Sequence, residues 1–427
     1  MRSRVIWRRS ATAICAYVAA ALGFGTSVVA THELGLGGYA RFAAVIAASL
    51  FFQQMFDLTA EEALVKYGFR YVESRRFDRL RRLFQLAIAF KLLGGIIAGL
   101  LLVALAPYAK SFWGAGGVAL PMTVAAGIVI AQAPEGVAAG AIILRGRYDV
   151  RAFFLALSMA LRLSGLAIGC RYGVTGAVAG MAIAQLVATG AIATVGISAY
   201  RRFPRAAPEP LGEDRREIGR FLLSSTVASS LDSSRGTLGT SLVPTVSPIV
   251  QAGYFSNAQA PDTGLAALSG PARLVMLTEQ TRDFEAGRED RVYAMLRRYV
   301  IVTSLLMAVA VPVFWWLMPF LMGLAYGSDY RAHAATAARL VLLAAALRLI
   351  WGWTKSFPVS IGRPGLRVVA QGIEIAVFVP LLLLFASRWG ATGAAGAMLV
   401  STAVFCAVWS VMLVRLRAGR HAPAVAS

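Results

Sequence analysis

The stretch FQLAIAFKLLGGIIAGLLLVALA, residues 84–106, is apolar except for Gln85 and Lys91. A helix of about 20 such residues crosses the hydrocarbon core of a bilayer, which is about 30 Å thick. The stretch therefore predicts a transmembrane helix. It is typical of the whole chain of 427 residues, in which 58% are hydrophobic and 15% charged. A soluble domain usually has about 45–50% apolar and about 25% charged residues, so the composition excludes an ordinary soluble enzyme and a disordered chain.

Similar stretches predict an all-α polytopic membrane protein with about twelve transmembrane helices. The first six predicted spans are residues 11–30, 42–60, 84–106, 117–138, 152–170 and 174–198. The second six are residues 221–243, 253–272, 299–323, 334–354, 367–387 and 391–413. The eighth span is the least apolar because it contains Asn257, Gln259, Pro261 and Asp262.

The basic residues predict the orientation. With the N-terminus in the cytoplasm, 32 of the 42 Lys and Arg residues lie in cytoplasmic segments, five lie on the opposite side and five lie within spans. Cytoplasmic loops of membrane proteins carry such an excess of Lys and Arg. We therefore expect both termini in the cytoplasm, an uncleaved first helix, and a multi-pass protein of the plasma membrane. The net charge of +21 then indicates attraction to anionic membrane lipids rather than to nucleic acid.

Short segments recur at a nearly constant spacing in the two halves of the chain. GVTGA at 173–177 matches GATGA at 390–394, an offset of 217; Gly146-Arg147 matches Gly362-Arg363, an offset of 216; Gly38-Tyr39 matches Gly253-Tyr254, an offset of 215. These matches predict two six-helix repeats related by an axis along the membrane normal, as in some transporters. We expect an N-terminal bundle at 1–199, a proline-containing cytoplasmic linker at 200–220 and a C-terminal bundle at 221–427.

The sequence offers no pattern for catalysis or metal binding. The three cysteines and three histidines are scattered without metal-ligand spacing. Nucleotide-binding and catalytic motifs are missing from the sequence, and no outer loop exceeds about 15 residues, which leaves no room for a catalytic domain. We expect no enzyme activity, no metal and no cofactor.

Basic residues inside the spans are candidates for binding an anionic substrate, because buried charges in membranes usually face a polar interior. These candidates are Lys91, Arg162, Arg235 and Arg348. Arg162 lies about 16 Å from the cytoplasmic end of its span and has no charged neighbour within one helical turn. Lys91, Arg348 and also Arg339 have the alternative of extending to the membrane interface.

Acidic residues inside the spans are candidates for ion coupling. We take these to be Asp232, Asp262 and Glu374, three acidic residues against five basic ones. Asp232 has the alternative of pairing with Arg235 on the same helix face. Asp262 follows Pro261, which interrupts the helix, and either an ion site or a pair with a neighbouring arginine fits it.

The seventh span is rich in hydroxyl groups. Serines and threonines occupy positions 224–226, 229, 230, 233, 234, 237, 240 and 241. Such residues either let helices pack closely or line a hydrated path for sugars, and the sequence leaves both readings open.

Several motifs together resemble one family. They are Leu34-Gly-Leu-Gly-Gly38-Tyr39, Phe56-Asp57-Leu58 with Ala63-Leu64-Val65-Lys66-Tyr67, Ile143-Leu144-Arg145-Gly146-Arg147-Tyr148, Tyr326-Gly327-Ser328-Asp329-Tyr330 and Ile361-Gly362-Arg363-Pro364. In order and spacing the chain resembles the O-unit polysaccharide flippases of the multidrug/oligosaccharidyl-lipid/polysaccharide exporter (MOP) superfamily. It departs from their pattern at Thr59, where glycine is expected.

The resemblance implies a V-shaped transporter like those of the multidrug and toxin extrusion (MATE) family. The implied cargo is a polyprenyl-diphosphate-linked oligosaccharide, moved across the bacterial inner membrane for lipopolysaccharide O-antigen or exopolysaccharide synthesis. Coupling to H⁺ or Na⁺ and cooperation with a polysaccharide polymerase or export machinery are also implied. The alternative within the superfamily is an ion-coupled multidrug and toxin antiporter.

Overall fold

The computed structural model describes residues 2–57, 60–285, 288–361, 363 and 365–421. The chain is 90% helical, and the part described contains no strand. This confirms the predicted all-α class.

Sixteen α-helices follow one another along the described ranges. In the first part of the chain they are α1 (Arg2–Phe56), α2 (Ala60–Glu73), α3 (Phe77–Leu105), α4 (Ala109–Trp113), α5 (Ala119–Gln132), α6 (Glu135–Leu144), α7 (Tyr148–Gly169), α8 (Gly173–Arg201), α9 (Asp214–Val246) and α10 (Val250–Ala258). The remainder are α11 (Ala260–Glu285), α12 (Glu289–Tyr326), α13 (Ser328–His333), α14 (Ala335–Ile350), α15 (Phe357–Ser360) and α16 (Gly365–His421).

Glycines break the two longest helices between predicted spans. Gly35, with φ of 64°, interrupts α1 between the first two predicted spans. Gly390, with φ of 55°, interrupts α16 between the last two. Only glycine adopts such left-handed backbone angles without strain. Each long helix therefore holds two predicted spans.

Six helical stretches are long and apolar enough to cross a membrane by length and composition, counted over the described residues. They are Ala11–Glu73, Phe77–Trp113, Ala119–Leu144, Tyr148–Arg201, Glu289–Tyr326 and Gly365–Arg417. The stretches that contain Gly35, Gly173 and Gly390 each cover two predicted spans. The predicted spans 221–243, 253–272 and 334–354 fall on α9, on α10 with α11, and on α14, which are more polar or shorter. All twelve predicted spans thus coincide with helices.

Two compact units are formed by Met1–Asn257 and Ala258–Ser427. In the first unit, α7 and α8 approach closely along glycines: a Cβ on Gly165 would lie 2.3 Å from the carbonyl oxygen of Gly180, and one on Gly169 would lie 2.2 Å from that of Gly176. Small residues permit such backbone contact between membrane helices. The helix α9 also belongs to this unit, where it packs against α1 and α2.

In the second unit, aromatic side chains fill the core between α12, α14 and α16. Trp353 packs edge-on against Phe357 and Trp409, with ring centroids 5.7 and 5.6 Å apart. Arg339 of α14 donates from Nε to the carbonyl oxygen of Trp315 at 2.9 Å. The predicted division of the chain at the linker 200–220 stays a prediction.

Candidate functional site

A polar cavity of about 150 Å³ lies inside the first unit and is called here the first-unit cavity. The end of α1 and helices α2, α3, α5, α6, α7 and α8 surround it. Its polar lining residues are Gln53, Asp57, Glu61, Lys91, Gln132, Glu135 and Arg151. A cavity inside a helix bundle that is lined by positive and negative side chains is the usual setting for functional groups in membrane proteins.

Lys91 is held against a carboxylate at this cavity. It is buried in α3, with 7% of its surface exposed, and its Nζ contacts Oδ1 of Asp57 at the end of α1. The structure therefore places this predicted substrate-binding residue in an ion pair rather than at the membrane interface.

A second ion pair lies at the same cavity. Nη2 of Arg151, in the first turns of α7, donates to Oε1 of Glu61 in α2 at 2.7 Å. Both side chains are partly exposed, so water screens this pair more than the pair of Lys91. Two of the three carboxylates that line the cavity are thus neutralised by a cation.

The third carboxylate, Glu135, is joined to Arg162 through neutral amides. Gln185 of α8 is fully buried; its Nε2 donates to Oε2 of Glu135 and to Oγ1 of Thr189, each at 2.8 Å. Its Oε1 accepts from Nε of Arg162 at 2.7 Å. Nη2 of Arg162 donates to Oε1 of Gln132 at 2.7 Å. Four helices, α5, α6, α7 and α8, are connected by this network.

The geometry around Arg162 leaves its positive charge without a direct counter-charge. Both neighbours that accept its hydrogen bonds are amide oxygens, and no described carboxylate lies within ion-pair distance of it. This partly buried guanidinium keeps its positive charge available to an anionic group, because the partners that accept its hydrogen bonds are neutral. The structure thus gives this predicted binding residue a location but tests no ligand.

Glycines let the helices of the cavity meet. A Cβ on Gly94 of α3 would lie 2.3 Å from the carbonyl oxygen of Phe56. A Cβ on Gly136 of α6 would lie 3.3 Å from Oε2 of Glu61 and 3.5 Å from Nζ of Lys91. The absence of side chains at these positions brings the ends of α1 and α6 next to the buried lysine.

Three carboxylates and two cations line the first-unit cavity, and Arg162 adds a third cation behind Gln132 and Gln185. The described residues contain no group of three or more His, Cys, Asp or Glu side chains that would hold a metal ion.

In the second unit, Arg348 of α14 and Glu374 of α16 form a buried ion pair between Nη2 and Oε2. The guanidinium also lies 4.5 Å from the ring centroid of Phe405. The sequence analysis assigned these two residues to different roles, substrate binding and ion coupling, and the structure brings them together. Arg348 follows Gln132 by 216 residues, which is the offset of one of the repeated segments. At these two matching sequence positions, Gln132 bonds to Arg162 of α7 and Arg348 pairs with Glu374 of α16.

The other three predicted residues are placed less completely. Arg235 is buried in α9, with 5% of its surface exposed. Asp262 is partly buried in the first turn of α11. The side chain of Asp232 lies outside what the structure describes, so its predicted pairing with Arg235 stays a prediction.

The hydroxyl groups of α9 favour packing at several positions. Ser234, Thr240 and Ser241 bond to carbonyl oxygens of their own helix. Ser230 donates to the carbonyl oxygen of Gln54 in α1 at 2.6 Å, which ties α9 to α1. The alternative of a hydrated sugar path along α9 stays untested.

Charged contacts join α2 and α3 to the start of α9 outside the predicted spans. Arg70 donates from both terminal nitrogens to the carboxylate of Glu217, each at 3.1 Å, and Arg79 donates to Oδ2 of Asp214 at 2.8 Å. The hydrogen bond from Arg70 lowers the pKa of Glu217.

Sequence reasoning missed several residues of the first-unit cavity. Asp57 and Glu135 lie within the predicted spans 42–60 and 117–138, so the spans hold five acidic residues and not three. The prediction that basic residues outnumber acidic residues within the spans is therefore wrong, because there are five of each. Gln132 and Gln185 were missed because they are neutral, although a glutamine deep in an apolar span is itself a signal for interhelical hydrogen bonding.

Comparison with known sequences gives no relative. No family model matches the chain, and no curated protein matches it.

Comparison with solved structures gives matches over nearly the whole length. An inward-facing multidrug resistance MATE family transporter of the MOP superfamily matches with a TM-score of 0.70 at 14% identity, covering 98% of this chain and 99% of that one. The lipid II flippase MurJ, in an inward closed conformation, matches with a TM-score of 0.73 at 14% identity, covering 95% of this chain and 87% of that one. A MOP superfamily transporter from Pyrococcus furiosus, described as having a binding pocket of reverse polarity, matches with a TM-score of 0.61 at 13% identity, covering 96% and 95%. The chain therefore has the fold of these MATE proteins and of MurJ.

Proposed function

We propose that the protein is a flippase that moves a polyprenyl-diphosphate-linked oligosaccharide across the bacterial inner membrane for surface or exopolysaccharide synthesis. The observation that carries the proposal is Arg162, a guanidinium deep in α7 whose hydrogen bonds go to two neutral amides. A diphosphate is the kind of anion that a guanidinium recognises best, because its planar fork donates parallel hydrogen bonds to phosphate oxygens.

The fold supports a flippase. A protein described as a lipid II flippase shares it over nearly the whole chain. In the proposed cycle the two halves alternate between inward and outward access, the sugar and diphosphate cross through the polar interior, and the polyprenyl tail stays in lipid. No covalent bond is made or broken. The transported repeat unit then passes to a polysaccharide polymerase or export machinery.

Lys91, Arg235 and Arg348 remain proposed partners for the diphosphate or for acidic sugars. Two of the three already contact a carboxylate, Lys91 with Asp57 and Arg348 with Glu374. Cargo binding at either would therefore compete with an existing ion pair, and a proton on the carboxylate would release the cation. This gives Glu374 its proposed part in coupling, beside Asp262 and Asp232.

An ion-coupled drug antiporter is the second candidate, and the carboxylates of the first-unit cavity favour it. Asp57, Glu61 and Glu135 outnumber the two cations beside them. Such an excess would attract a cationic drug or a proton. The full-length likeness to multidrug resistance MATE transporters is consistent with this candidate.

The test is a strain that lacks the protein, assayed for surface polysaccharide and for lipid-linked oligosaccharide in each leaflet. A flippase predicts loss of surface polysaccharide, with repeat units accumulating in the cytoplasmic leaflet. Normal polysaccharide together with new sensitivity to cationic dyes would favour the antiporter instead.

Complementation links the phenotype to the site. Arg162→Ala is expected to insert normally and fail to restore export. Arg171→Ala is the matched control, because Arg171 is exposed and lies just after the C-terminal end of α7. This variant is expected to restore export. Restoration by both variants would remove Arg162 from the proposed site.

A further inference from the structure

A second cavity of the first unit is surrounded by three arginines and is called here the arginine pocket. Its volume is about 360 Å³. Arg145 follows α6, Arg147 precedes α7, and Arg202 follows α8. Gly146, with φ of 69°, forms the tight turn that brings Arg145 and Arg147 to the same pocket.

The floor of the arginine pocket is apolar. Ile142, Val150, Val195 and Ala199 line it from α6, α7 and α8, and all four belong to one hydrophobic cluster of the first unit. Ser198 is the single uncharged polar side chain among the lining residues. A charged rim over an apolar floor suits an amphipathic ligand rather than a free ion.

The charges at the rim are mostly uncompensated. Arg147 pairs with Asp149 at 3.2 Å, an exposed contact within one turn of chain. Arg145 lies 5.3 Å from the ring centroid of Phe203, which orients it without neutralising it. Arg202 has no ion-pair partner among the described residues. Three guanidinium groups therefore face one nearby carboxylate.

The expected topology places the arginine pocket at the inner surface of the membrane. The segments 145–151 and 201–220 are two of the predicted cytoplasmic segments. Anionic lipid headgroups are present at that depth, and basic pockets between membrane helices on the cytoplasmic side bind them.

We propose that the arginine pocket binds one anionic phospholipid of the inner leaflet. The three arginines would hold the phosphate through charge-assisted hydrogen bonds, and the first carbons of the acyl chains would cover the apolar floor. This site is separate from the first-unit cavity and does not depend on which cargo the protein transports.

Native mass spectrometry of the full chain with added phosphatidylglycerol tests the proposal. The wild type is expected to retain one phosphatidylglycerol and to release phosphatidylcholine of the same chain length. The variant Arg145→Ala/Arg147→Ala/Arg202→Ala is expected to weaken retention about 100-fold, from roughly fivefold for each arginine.

A matched control removes three exposed arginines from the start of α9, Arg215→Ala/Arg216→Ala/Arg220→Ala. It keeps the same net charge as the test variant and is expected to retain the lipid. Equal loss in both variants, or equal retention in both, would overturn the proposal. Displacement of phosphatidylglycerol by a polyprenyl diphosphate at equal concentration would also overturn it, because the pocket would then belong to the cargo.

A second variant keeps every charge in case the triple variant fails to fold. Ser198→Phe places a ring at the exposed mouth of the pocket and is expected to abolish retention by steric exclusion. Unchanged retention in this variant would contradict the proposed position of the lipid.

Discussion

Replacing Gln185 by leucine removes the amide that connects Glu135 to Arg162. The side chain is fully buried and makes three hydrogen bonds, at 2.7, 2.8 and 2.8 Å. Interhelical hydrogen bonds in membrane proteins are worth about 0.6 kcal/mol on average and up to about 1.7 kcal/mol. Two of the three bonds lead to other helices, so the single substitution should cost about 1–2 kcal/mol, since leucine keeps most of the volume and loses those bonds.

A double-mutant cycle isolates the bond between Gln185 and Arg162. Gln185→Leu, Arg162→Ala and the double variant would be unfolded reversibly with sodium dodecyl sulfate in mixed micelles and followed by tryptophan fluorescence. Because the bond is short, charge-assisted and partly buried, we expect a coupling free energy of about 1–2 kcal/mol, near the upper end of the measured range.

The control cycle pairs Gln185→Leu with Arg171→Ala. Arg171 is exposed and lies 14 positions before Gln185, so the two effects should add to within about 0.3–0.5 kcal/mol. A coupling free energy below about 0.3 kcal/mol for Gln185 and Arg162 would refute the network on which the candidate site rests.

Three further predictions concern charged residues. Arg162→Lys should export poorly even though it keeps the charge, because an ammonium group cannot hold two amides and a phosphate in one plane; export equal to wild type would show that charge alone matters. Glu374→Gln should destabilise the second unit by about 3–5 kcal/mol, because it leaves Arg348 as a buried charge without its carboxylate, and Arg348→Met/Glu374→Leu should recover most of that loss in the same unfolding assay. Lowering the pH should weaken the contact of α2 with α9, because the pKa of Glu217 is lowered in the folded protein. The resulting stability is fully present above the usual carboxyl pKa of about 4.3 and is lost as the pH falls through the lowered pKa. The melting temperature of Glu217→Gln should therefore change less than that of wild type between neutral and acidic pH.

Helix positions were predictable because they depend on local properties of the sequence. Apolar stretches of bilayer length and left-handed glycines set the limits of the helices, and Gly35 and Gly390 interrupt α1 and α16 between predicted spans. The repeated segments supported a duplicated transporter, and the likeness to MATE and MurJ structures agrees with that fold.

Ion pairs were not predictable because their partners are distant in sequence. Lys91 meets Asp57 across 34 positions, and Arg348 meets Glu374 across 26. The sequence analysis treated each as a separate charge at a certain depth. Neutral glutamines carried no charge signal at all, so the network around Arg162 required the packing of four helices to become visible.

Reconstitution of the purified protein in liposomes tests the central claim most directly. A fluorescent polyprenyl-diphosphate oligosaccharide would be placed in both leaflets, and dithionite added outside would bleach the molecules that reach the outer leaflet. If the protein is a flippase, dithionite should bleach the label of both leaflets in liposomes with wild-type protein. In liposomes with Arg162→Ala, dithionite should bleach no more label than in protein-free liposomes. Bleaching confined to the outer leaflet with active wild-type protein, together with uptake of a cationic dye driven by a proton gradient, would contradict the proposed function and favour the antiporter.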